Sequence, residues 1–367
     1  MSAMRSGIYY WKCDRPAALH GVACSTKADG RDASIEADLL ALLANEFAGP
    51  IQIKPAGGKG NHRTYLLDHG RQTMFVRVED GPEGDTHLEM ESLVMAEVAK
   101  TGVPVPRVFF TDATRLHAPF SVQVIEYFDC PDLNHAYKKG CLPLIEVAQA
   151  IGQAIARWQN VTVAGFGPFD PCTVKHDKAL NGYHISYAAY FRLNLARHLQ
   201  ILKSCDFLSE TEVSNLVRAI EGIAPPLLHI DRGVLVHKDL ALWNIMGTPS
   251  GIRAFIDWDD AIAGDPADDL SLLACFHSAD VVQAAVDGYT LVRPLPDNFL
   301  SRFWLHLLRN MIVKAVIRCE SGYFKQTAGG AFLMASGQNG EAFRKFTKER
   351  LLSAYRGLTG IRPLSDL

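Results

Sequence analysis

Val236-His-Lys-Asp-Leu-Ala-Leu-Trp-Asn-Ile-Met246 is the stretch of this 367-residue chain that decides its fold. Within it, Asp239 precedes Asn244 by five positions, and Ile256-Asp-Trp-Asp-Asp260 follows downstream. Phosphoryl transfer needs a group that accepts a hydroxyl proton and cations that neutralise phosphate oxygens. The Asp239 carboxylate suits the first task, while the amide oxygen of Asn244 and the carboxylate of Asp257 are hard ligands suited to Mg²⁺. The spacing therefore points to a site that moves a phosphoryl group.

Three segments in this order resemble the aminoglycoside phosphotransferase and choline kinase family, whose members share a protein-kinase-like fold. The family's H-x-D-x-x-x-x-N catalytic loop matches His237, Asp239 and Asn244, and its I-D-W/F segment matches residues 256–258. Its G-D-P-x-x-D-L segment matches residues 264–270. The resemblance implies that Asp239 is the catalytic base and that Asn244 and the aspartate of the second segment hold Mg²⁺. It also implies that ATP is the phosphoryl donor, with GTP as the alternative, and that His237 orients the loop.

The resemblance further implies a nucleotide-binding role for Arg77 and Glu91. In the family, a basic residue on the third strand of the N-terminal lobe holds nucleotide phosphates, and a helical glutamate pairs with it. The residue pattern supports this pairing, because Glu91 shares a helical face with Leu88, Val94 and Met95. An acid on an apolar face is costly to bury unless it is paired, and arginine suits a bidentate contact.

Two further segments match the family's nucleotide site by position. The glycine-rich turn that contains Gly58 and Gly60 lies where the family has a phosphate-covering loop, and glycines let backbone N–H groups approach phosphates closely. The turn is not a Walker A sequence, because no G-K-[S/T] opens a helix there. Glu126, Tyr127 and Phe128 fall where the family's hinge contacts adenine.

The hydrophobic pattern predicts an α+β fold with two lobes. Short strand-like runs, and a helix beginning at the Thr86-His-Leu-Glu89 capping box, predict a small antiparallel sheet with one main helix against it. Helical periodicity dominates after residue 129, over residues 144–158, 186–203, 210–221, 266–276, 298–319 and 341–355. We expect an N-terminal extension over 1–33, a nucleotide-binding N-lobe over 34–128 and a mostly helical C-lobe over 129–367, which carries the catalytic loop and binds the acceptor.

The expected acceptor is a hydroxylated small molecule, such as a sugar, polyol, aminocyclitol or amino alcohol. Four side chains are candidates for contact with it: Asp260, Tyr187, His306 and Arg309. The last two share a helical face with Asn310 and Lys314, at three- and four-residue steps. This basic face favours a neutral or anionic acceptor over an aminoglycoside.

Position 238 departs from the family pattern, which usually has glycine or another small residue there. We expect the Lys238 side chain to point to solvent or to add charge near the γ-phosphate. The motifs leave two rival functions open, an aminoglycoside (hygromycin-like) resistance phosphotransferase and a catalytically inactive kinase-like nucleotide-binding protein. The inactive protein is disfavoured because the base, the metal ligands and the arginine–glutamate pair are all present.

Composition excludes some other classes of partner. The formal net charge is −3, so no strong positive field attracts nucleic acid. The longest apolar stretch, residues 299–317, is interrupted by Arg302, His306, Arg309 and Lys314, which argues against a membrane span. Eight scattered cysteines without a C-x-x-C motif are typical of reduced thiols. We therefore expect a cytoplasmic protein, whose oligomeric state the sequence leaves open.

Overall fold

The computed structural model describes Asp14 and residues 32–56, 62–80, 87–327 and 339–367. Gly58, Gly60 and Thr86 lie outside the described residues, as does almost all of the predicted extension, so the predictions for them stay predictions. The described chain forms two hydrophobic cores, one under an N-terminal sheet and a larger one among the helices that follow.

The N-terminal sheet has five antiparallel strands in the order β1-β2-β3-β5-β4. They are β1 (Ile51–Pro55), β2 (Arg63–His69), β3 (Gln72–Glu79), β4 (Val108–Asp112) and β5 (Ser121–Glu126). In β3, Met74, Val76 and Val78 point into the smaller core, which helix α1 (Asp32–Glu46) also lines. Because successive strand side chains point to opposite faces, Arg77 lies on the other face of the sheet.

Helix α2 (His87–Lys100) joins the sheet to the larger core. Its Met90, Val94 and Val98 are buried in that core, and Glu91 lies among them on the same buried side. The apolar stripe of the helix therefore carries an acid inward at the boundary between the two cores. Arg77 and Glu91 thus come from neighbouring elements that enclose one cleft.

A second five-stranded sheet, in the order β6-β9-β12-β7-β8, and a separate hairpin carry the motif residues. The sheet strands are β6 (Thr162–Val163), β7 (Phe166–Phe169), β8 (Gly182–His184), β9 (Gly233–Val236) and β12 (Ile262–Gly264), and the hairpin strands are β10 (Ile245–Thr248) and β11 (Gly251–Phe255). In the sequence, only the apolar runs Val234-Leu-Val236 and Ala254-Phe-Ile256 indicate strands in this region, and they coincide with β9 and the end of β11. The other sheet strands have two to four residues each, too few to show an alternation.

The remaining helices surround the larger core. They are α3 (Leu133–Lys138), α4 (Leu144–Trp158), α5 (Pro171–Asp177), α6 (Tyr187–Arg192), α7 (Leu195–Ser204), α8 (Glu210–Leu227), α9 (Asp268–Leu273), α10 (Ala279–Thr290), α11 (Phe299–Glu320) and α12 (Gly340–Gly360). Helices α4 and α10 approach so closely at Gly152 that a Cβ there would lie 1.8 Å from the Ala285 carbonyl oxygen. Small residues thus set the spacing of the helices that support the catalytic loop.

Most predicted helices are present, but the bounds of several differ. The helix expected over 186–203 is two helices, because Asn194 adopts the left-handed conformation at φ 58° and breaks the hydrogen-bond ladder. The helix expected to end at Glu221 continues to Leu227 through Pro225 and Pro226. Among the described residues, no helix is long and apolar enough to cross a membrane.

Candidate active site

The β10–β11 hairpin positions Asn244 and Asp257 together. Ile245 pairs with Phe255 at the open end of the hairpin, and the Ile256 N–H donates to the Asn244 carbonyl at 3.0 Å. Asn244 and Asp257 therefore lie next to each other, just beyond the paired residues Ile245 and Phe255. Residues 13 positions apart in the chain are brought side by side by local pairing, which is why their spacing is recognisable in sequence.

Asn244 fixes the orientation of Asp239. Its side-chain nitrogen donates to the Asp239 carbonyl at 2.8 Å and to the Asp239 carboxylate Oδ2 at 2.9 Å. Because Nδ2 makes both of these bonds, Oδ1 is the atom of the amide left to bind a cation. The other carboxylate oxygen of Asp239, Oδ1, lies 3.6 Å from the Lys314 ammonium nitrogen.

His237 ties the loop over residues 237–244 to the segment over residues 256–258 and does not border the cleft. The side chain is buried, its Nδ1 accepts the Asp239 N–H at 3.3 Å, and Nε2 lies 3.0 Å from the Ile256 carbonyl. These partners require the tautomer in which Nε2 carries the proton and donates it. Burial lowers the pKa of His237 from its ordinary value, so the ring is neutral. The imidazole orients two backbone segments, as the sequence led us to expect.

Asp269 anchors the same loop from below. Its carboxylate accepts the backbone N–H groups of His237 at 3.0 Å and Lys238 at 3.1 Å, and the indole N–H of Trp158 at 3.1 Å. The neighbouring Asp265 accepts the Ala267 N–H at 2.9 Å. The G-D-P-x-x-D-L segment therefore holds the loop in place through buried carboxylates.

Lys238 points inward, which corrects the expectation that it faces solvent or the γ-phosphate. Its ammonium group donates to Asp268 at 2.7 and 2.9 Å and to the Asn310 side-chain oxygen at 2.8 Å. Burial raises the pKa of Asp268, but the Lys238 charge outweighs this effect and lowers the pKa to about 2. The Lys238 backbone is left-handed, with φ 70°, a conformation that explains why a small residue is usual at this position. The buried ion pair offsets the strain of a long side chain there.

The predicted Arg77–Glu91 pair is present at the mouth of the cleft. Arg77 Nη1 donates to Glu91 Oε2, and Nη2 donates to Asp257 Oδ1 at 3.2 Å. The other Glu91 oxygen accepts the Trp258 N–H at 3.0 Å. Arg77 and Glu91 are 6% and 1% exposed, so neither charge could be buried there without the other. One buried pair thus joins β3, α2 and the segment over residues 256–258.

Asp257 lies where negative charge accumulates. Its backbone is left-handed, with φ 65°, which turns the side chain out of the hairpin towards the cleft. Enclosure in the cleft and the nearby Asp259 carboxylate raise the pKa of Asp257 to about 8, although Arg77 acts in the opposite direction. Repulsion of this kind between carboxylates is relieved when a divalent cation binds among them.

The two lobes enclose a cleft of about 870 Å³ that contains the motif residues. One end has an apolar slot between the sheet and the hairpin, which Phe75, Ile125, Met246 and Ile256 line. The predicted hinge residues border this slot: Glu126, Tyr127 and Phe128. Sequence reasoning missed Met246, although it lies two residues after Asn244 on β10 and so shares its face.

His62 is a second residue that sequence reasoning missed. Its ring lies 3.1 Å from a Glu79 carboxylate oxygen and 3.7 Å from an Asp259 oxygen, at the edge of the cleft. Burial and Arg77 act against protonation, but the neighbouring Asp259 and Glu79 carboxylates raise the pKa of His62. His62 follows the glycine-rich turn in the sequence, but no residue pattern marks the histidine itself, and the fold brings it against Glu79 and Asp259.

The structure separates the four predicted acceptor contacts. Asp260 borders both the large cleft and a smaller cavity of about 90 Å³ next to Asp239. Tyr187 and His306 are each 1% exposed and border neither of these cavities, so the structure does not bring them to the cleft, and their contact with the acceptor stays a prediction. They are buried because His306 Nε2 lies 3.2 Å from the Asp265 carboxylate and its ring packs on Tyr187. Arg309 borders the smaller cavity but donates to the Phe191 carbonyl at 3.0 Å and contacts Asp14 at 3.2 Å.

Known structures resemble this arrangement over nearly their whole length. A thermostable mutant of aminoglycoside phosphotransferase APH(4)-Ia matches with a TM-score of 0.60 and 17% identity, covering 87% of this chain and 99% of that one. A candidate fructosamine-3-kinase from Thermobifida fusca YX-ER1 matches with a TM-score of 0.58 and 19% identity, covering 87% and 99%. A candidate aminoglycoside phosphotransferase from Ralstonia eutropha JMP134 matches with a TM-score of 0.56 and 19% identity, covering 88% and 98%.

Among curated proteins, none matches the sequence significantly. The family model of the phosphotransferase enzyme family matches residues 52–300, which is more than half of the chain and includes every predicted motif. The structural matches share the fold, so the predicted family and the two-lobed α+β protein-kinase-like fold are confirmed. This protein therefore belongs to the phosphotransferase enzyme family.

Proposed function

We propose that this protein is an ATP-dependent small-molecule kinase that transfers the γ-phosphoryl group to a hydroxyl group of its acceptor. The observation that carries the proposal is the convergence of Asp239, Asn244, Asp257 and the buried Arg77–Glu91 pair in one cleft. These residues come from β3, α2, the loop between β9 and β10, and the end of β11, so both lobes contribute. Maintaining a buried ion pair and a cluster of carboxylates costs stability, and such costs are typical of catalytic sites.

The nucleotide lies between the lobes in this proposal. The adenine ring occupies the apolar slot beside Met246 and Ile256 and contacts the hinge at 126–128. Its phosphates extend towards Arg77, whose Nη2 already reaches Asp257 on the opposite wall. A structure of the APH(4)-Ia mutant is a ternary complex with ADP and hygromycin B, which supports a nucleotide site in this fold.

Asn244 and Asp257 are the proposed protein ligands of Mg²⁺. The amide oxygen of Asn244 is left for a cation because the amide nitrogen is bonded to Asp239, and the charge around Asp257 favours a cation. Among the described residues, no group of three or more His, Cys, Asp or Glu side chains could hold a metal ion by itself. Magnesium that also binds phosphates and water needs fewer protein ligands, and when bound it neutralises phosphate charge.

Asp239 is the proposed catalytic base. In the transfer, the bond between the γ-phosphorus and the β–γ bridging oxygen of ATP breaks, and a bond forms to the acceptor oxygen. The acceptor hydroxyl proton passes to Asp239, and ADP leaves with the electrons of the broken bond. Asn244 holds the carboxylate in position through its 2.9 Å hydrogen bond. Catalysis comes from positioning and charge neutralisation.

The test is coupled ADP release with Mg²⁺ and either ATP or GTP. The acceptor panel contains sugars, polyols, amino alcohols and aminoglycosides, with hygromycin B among them. Asp239→Asn keeps the size of the side chain, and we expect it to lower kcat by at least about 100-fold with little change in nucleotide affinity. Asp231→Asn is the control, since that aspartate is 98% exposed eight residues upstream of the base.

Near-normal turnover by Asp239→Asn would remove Asp239 as the base. Phosphorylation of hygromycin B or another aminoglycoside in preference to the other acceptors would favour the resistance enzyme. If calorimetry found no binding of ATP with Mg²⁺, the inactive kinase-like protein would take the place of the kinase.

A further inference from the structure

Aromatic side chains other than those of the apolar slot also line the cleft. We define the acceptor wall as Trp243, Phe276, Ile317, Tyr323 and Phe343, all of which border the cleft. Trp243 and Phe276 meet edge to face with their ring centroids 5.0 Å apart. The slot beside the hinge has its own apolar residues, so the acceptor wall is apolar surface beyond that used by a nucleotide base. Aromatic walls of this kind bind planar apolar groups by stacking.

Lys314 connects the acceptor wall to the base. It lies one helical turn before Ile317 on α11, and its ammonium nitrogen is 4.8 Å from the Phe276 ring centroid and 3.6 Å from Asp239 Oδ1. The side chain is 16% exposed and borders both the cleft and the smaller cavity. A mostly desolvated ammonium group therefore stands at the point where an acceptor hydroxyl must meet Asp239.

The C-terminal helices line the cleft with charges of one sign, although the acids Asp239 and Asp260 border the same cavities as Lys314. After residue 270, the described chain contributes two charged side chains to the cleft lining, and both are cations, Lys314 and Arg318. Arg318 stacks over Phe343 at 4.3 Å and donates to Thr347, so it reinforces the wall from behind. The acids Asp257 and Asp259 come from the segment after β11, where Arg77 and His62 lie against them.

Resting on the kinase function proposed above, we propose that the acceptor is a hydroxylated small molecule with a planar apolar body and an anionic group. The apolar body stacks on the acceptor wall, and its carboxylate or phosphate pairs with Lys314. Such a pair gives the ammonium group a partner other than the base and leaves Asp239 to receive the hydroxyl proton. A polycationic acceptor would instead bring its charges against Lys314. Asp260, which borders both cavities, is the residue that would serve a cationic acceptor.

The test is a series of three acceptors with the same ring and the same primary hydroxyl group. They are 4-(hydroxymethyl)benzoate, 4-(hydroxymethyl)benzamide and 4-(aminomethyl)benzyl alcohol, with charges of minus one, zero and plus one at neutral pH. We expect kcat/KM from coupled ADP release to be about tenfold higher for the benzoate than for the amide, with the amine lowest, because the charge lies in a mostly desolvated site.

Two variants assign this preference to Lys314. Lys314→Met removes the charge and keeps the apolar stem, and we expect the benzoate-to-amide ratio to fall to about one. Lys314→Arg keeps the charge and should keep the preference. Lys345→Met is the matched control, because that lysine is 77% exposed on α12 and should leave the ratio unchanged.

Several outcomes overturn the inference. An equal loss on all three acceptors in Lys314→Met would show that this lysine acts on the transferred phosphoryl group. A preference for the amine that Asp260→Asn abolishes would assign a cationic acceptor. Equal rates on the three compounds, or no turnover of any of them, would also overturn it. The wild-type series needs no variant, so the test does not depend on Lys314→Met folding. Binding of ATP with Mg²⁺, measured separately, decides whether the kinase function fails as well.

Discussion

Replacing Glu91 by glutamine tests the reasoning about the buried ion pair most directly. The Glu91 carboxylate is 1% exposed and is bonded to Arg77 on one oxygen and to the Trp258 N–H on the other, at 3.0 Å. Glutamine keeps the shape and can still accept from Trp258. Its amide nitrogen, however, would face the Arg77 guanidinium, so two donors would meet and a buried cation would lose its nearer counter-charge.

The expected loss can be estimated from the burial of the pair. Breaking a buried pair by removing one charge costs about 3–5 kcal/mol, and Asp257 at 3.2 Å from Arg77 offsets part of it, so we expect about 3 kcal/mol. The entropy of unfolding for 367 residues is about 0.8 kcal/mol per K, which converts this loss to a fall of about 4 °C in Tm. Arg77 would also be less well fixed, and we expect the Kd for ATP with Mg²⁺ to rise about tenfold.

The assays are thermal unfolding followed by circular dichroism and calorimetric titration of the nucleotide. Glu97→Gln on the same helix is the control, because Glu97 is 41% exposed and pairs with Lys100 at 2.6 Å on the surface. Exposed pairs contribute about 0–1 kcal/mol, so the control should lie near the wild type. Equal Tm and equal Kd in the two variants would refute the view that the Arg77–Glu91 pair supports the fold and the nucleotide site.

Two further predictions concern stability. A Cβ on Gly357 would lie 2.2 Å from the Trp304 ring, so Gly357→Ala should lower the free energy of unfolding, measured by chemical denaturation, by about 1–3 kcal/mol. A Cβ on Gly222 would have no neighbour within 4 Å, so Gly222→Ala should raise it by about 0.5–1 kcal/mol. Stabilisation by both changes would contradict the close packing at Gly357. Burial lowers the pKa of His198 and His277 to about 4, so both are neutral when folded and gain protons on unfolding at low pH. The contribution of these histidines to the unfolding free energy should be fully present above pH 6.5 and fall towards pH 4, by up to about 1.4 kcal/mol per pH unit for each histidine. Changing both histidines to glutamine should flatten a plot of unfolding free energy against pH. An unchanged slope would show that the histidines do not cause the pH dependence.

The parts of the site that sequence anticipated are those that short-range pattern controls. Asp239, Asn244 and Asp257 belong to one loop and one hairpin, so their spacing is set by the ladder between them. The family resemblance pointed to Arg77 and Glu91, and the helical period supported the pairing by placing Glu91 on an apolar face. The second sheet was missed because its strands are too short for a period to be read.

Side-chain direction in the C-lobe was beyond sequence reasoning. Helix α11 is buried on nearly every side, so the residues expected to share one basic face have separate surroundings. His306 packs against Asp265 and Tyr187, Arg309 reaches Asp14, and Lys314 alone of these three borders the large cleft. A helical wheel gives the directions in which side chains leave a helix, but it does not show which neighbouring residues each side chain contacts.

By itself, the sequence determined the family, the two-lobed fold and the residues of the proposed phosphoryl-transfer site, because these depend on local spacing. The tertiary structure alone decided that Lys238 is buried against Asp268 and that Lys314 lies between Asp239 and the Phe276 ring. Both depend on partners 30 or more positions away. Such contacts are set by how helices pack, since a charged side chain turns inward only where the fold supplies an opposite charge, and no local pattern records where that charge will lie.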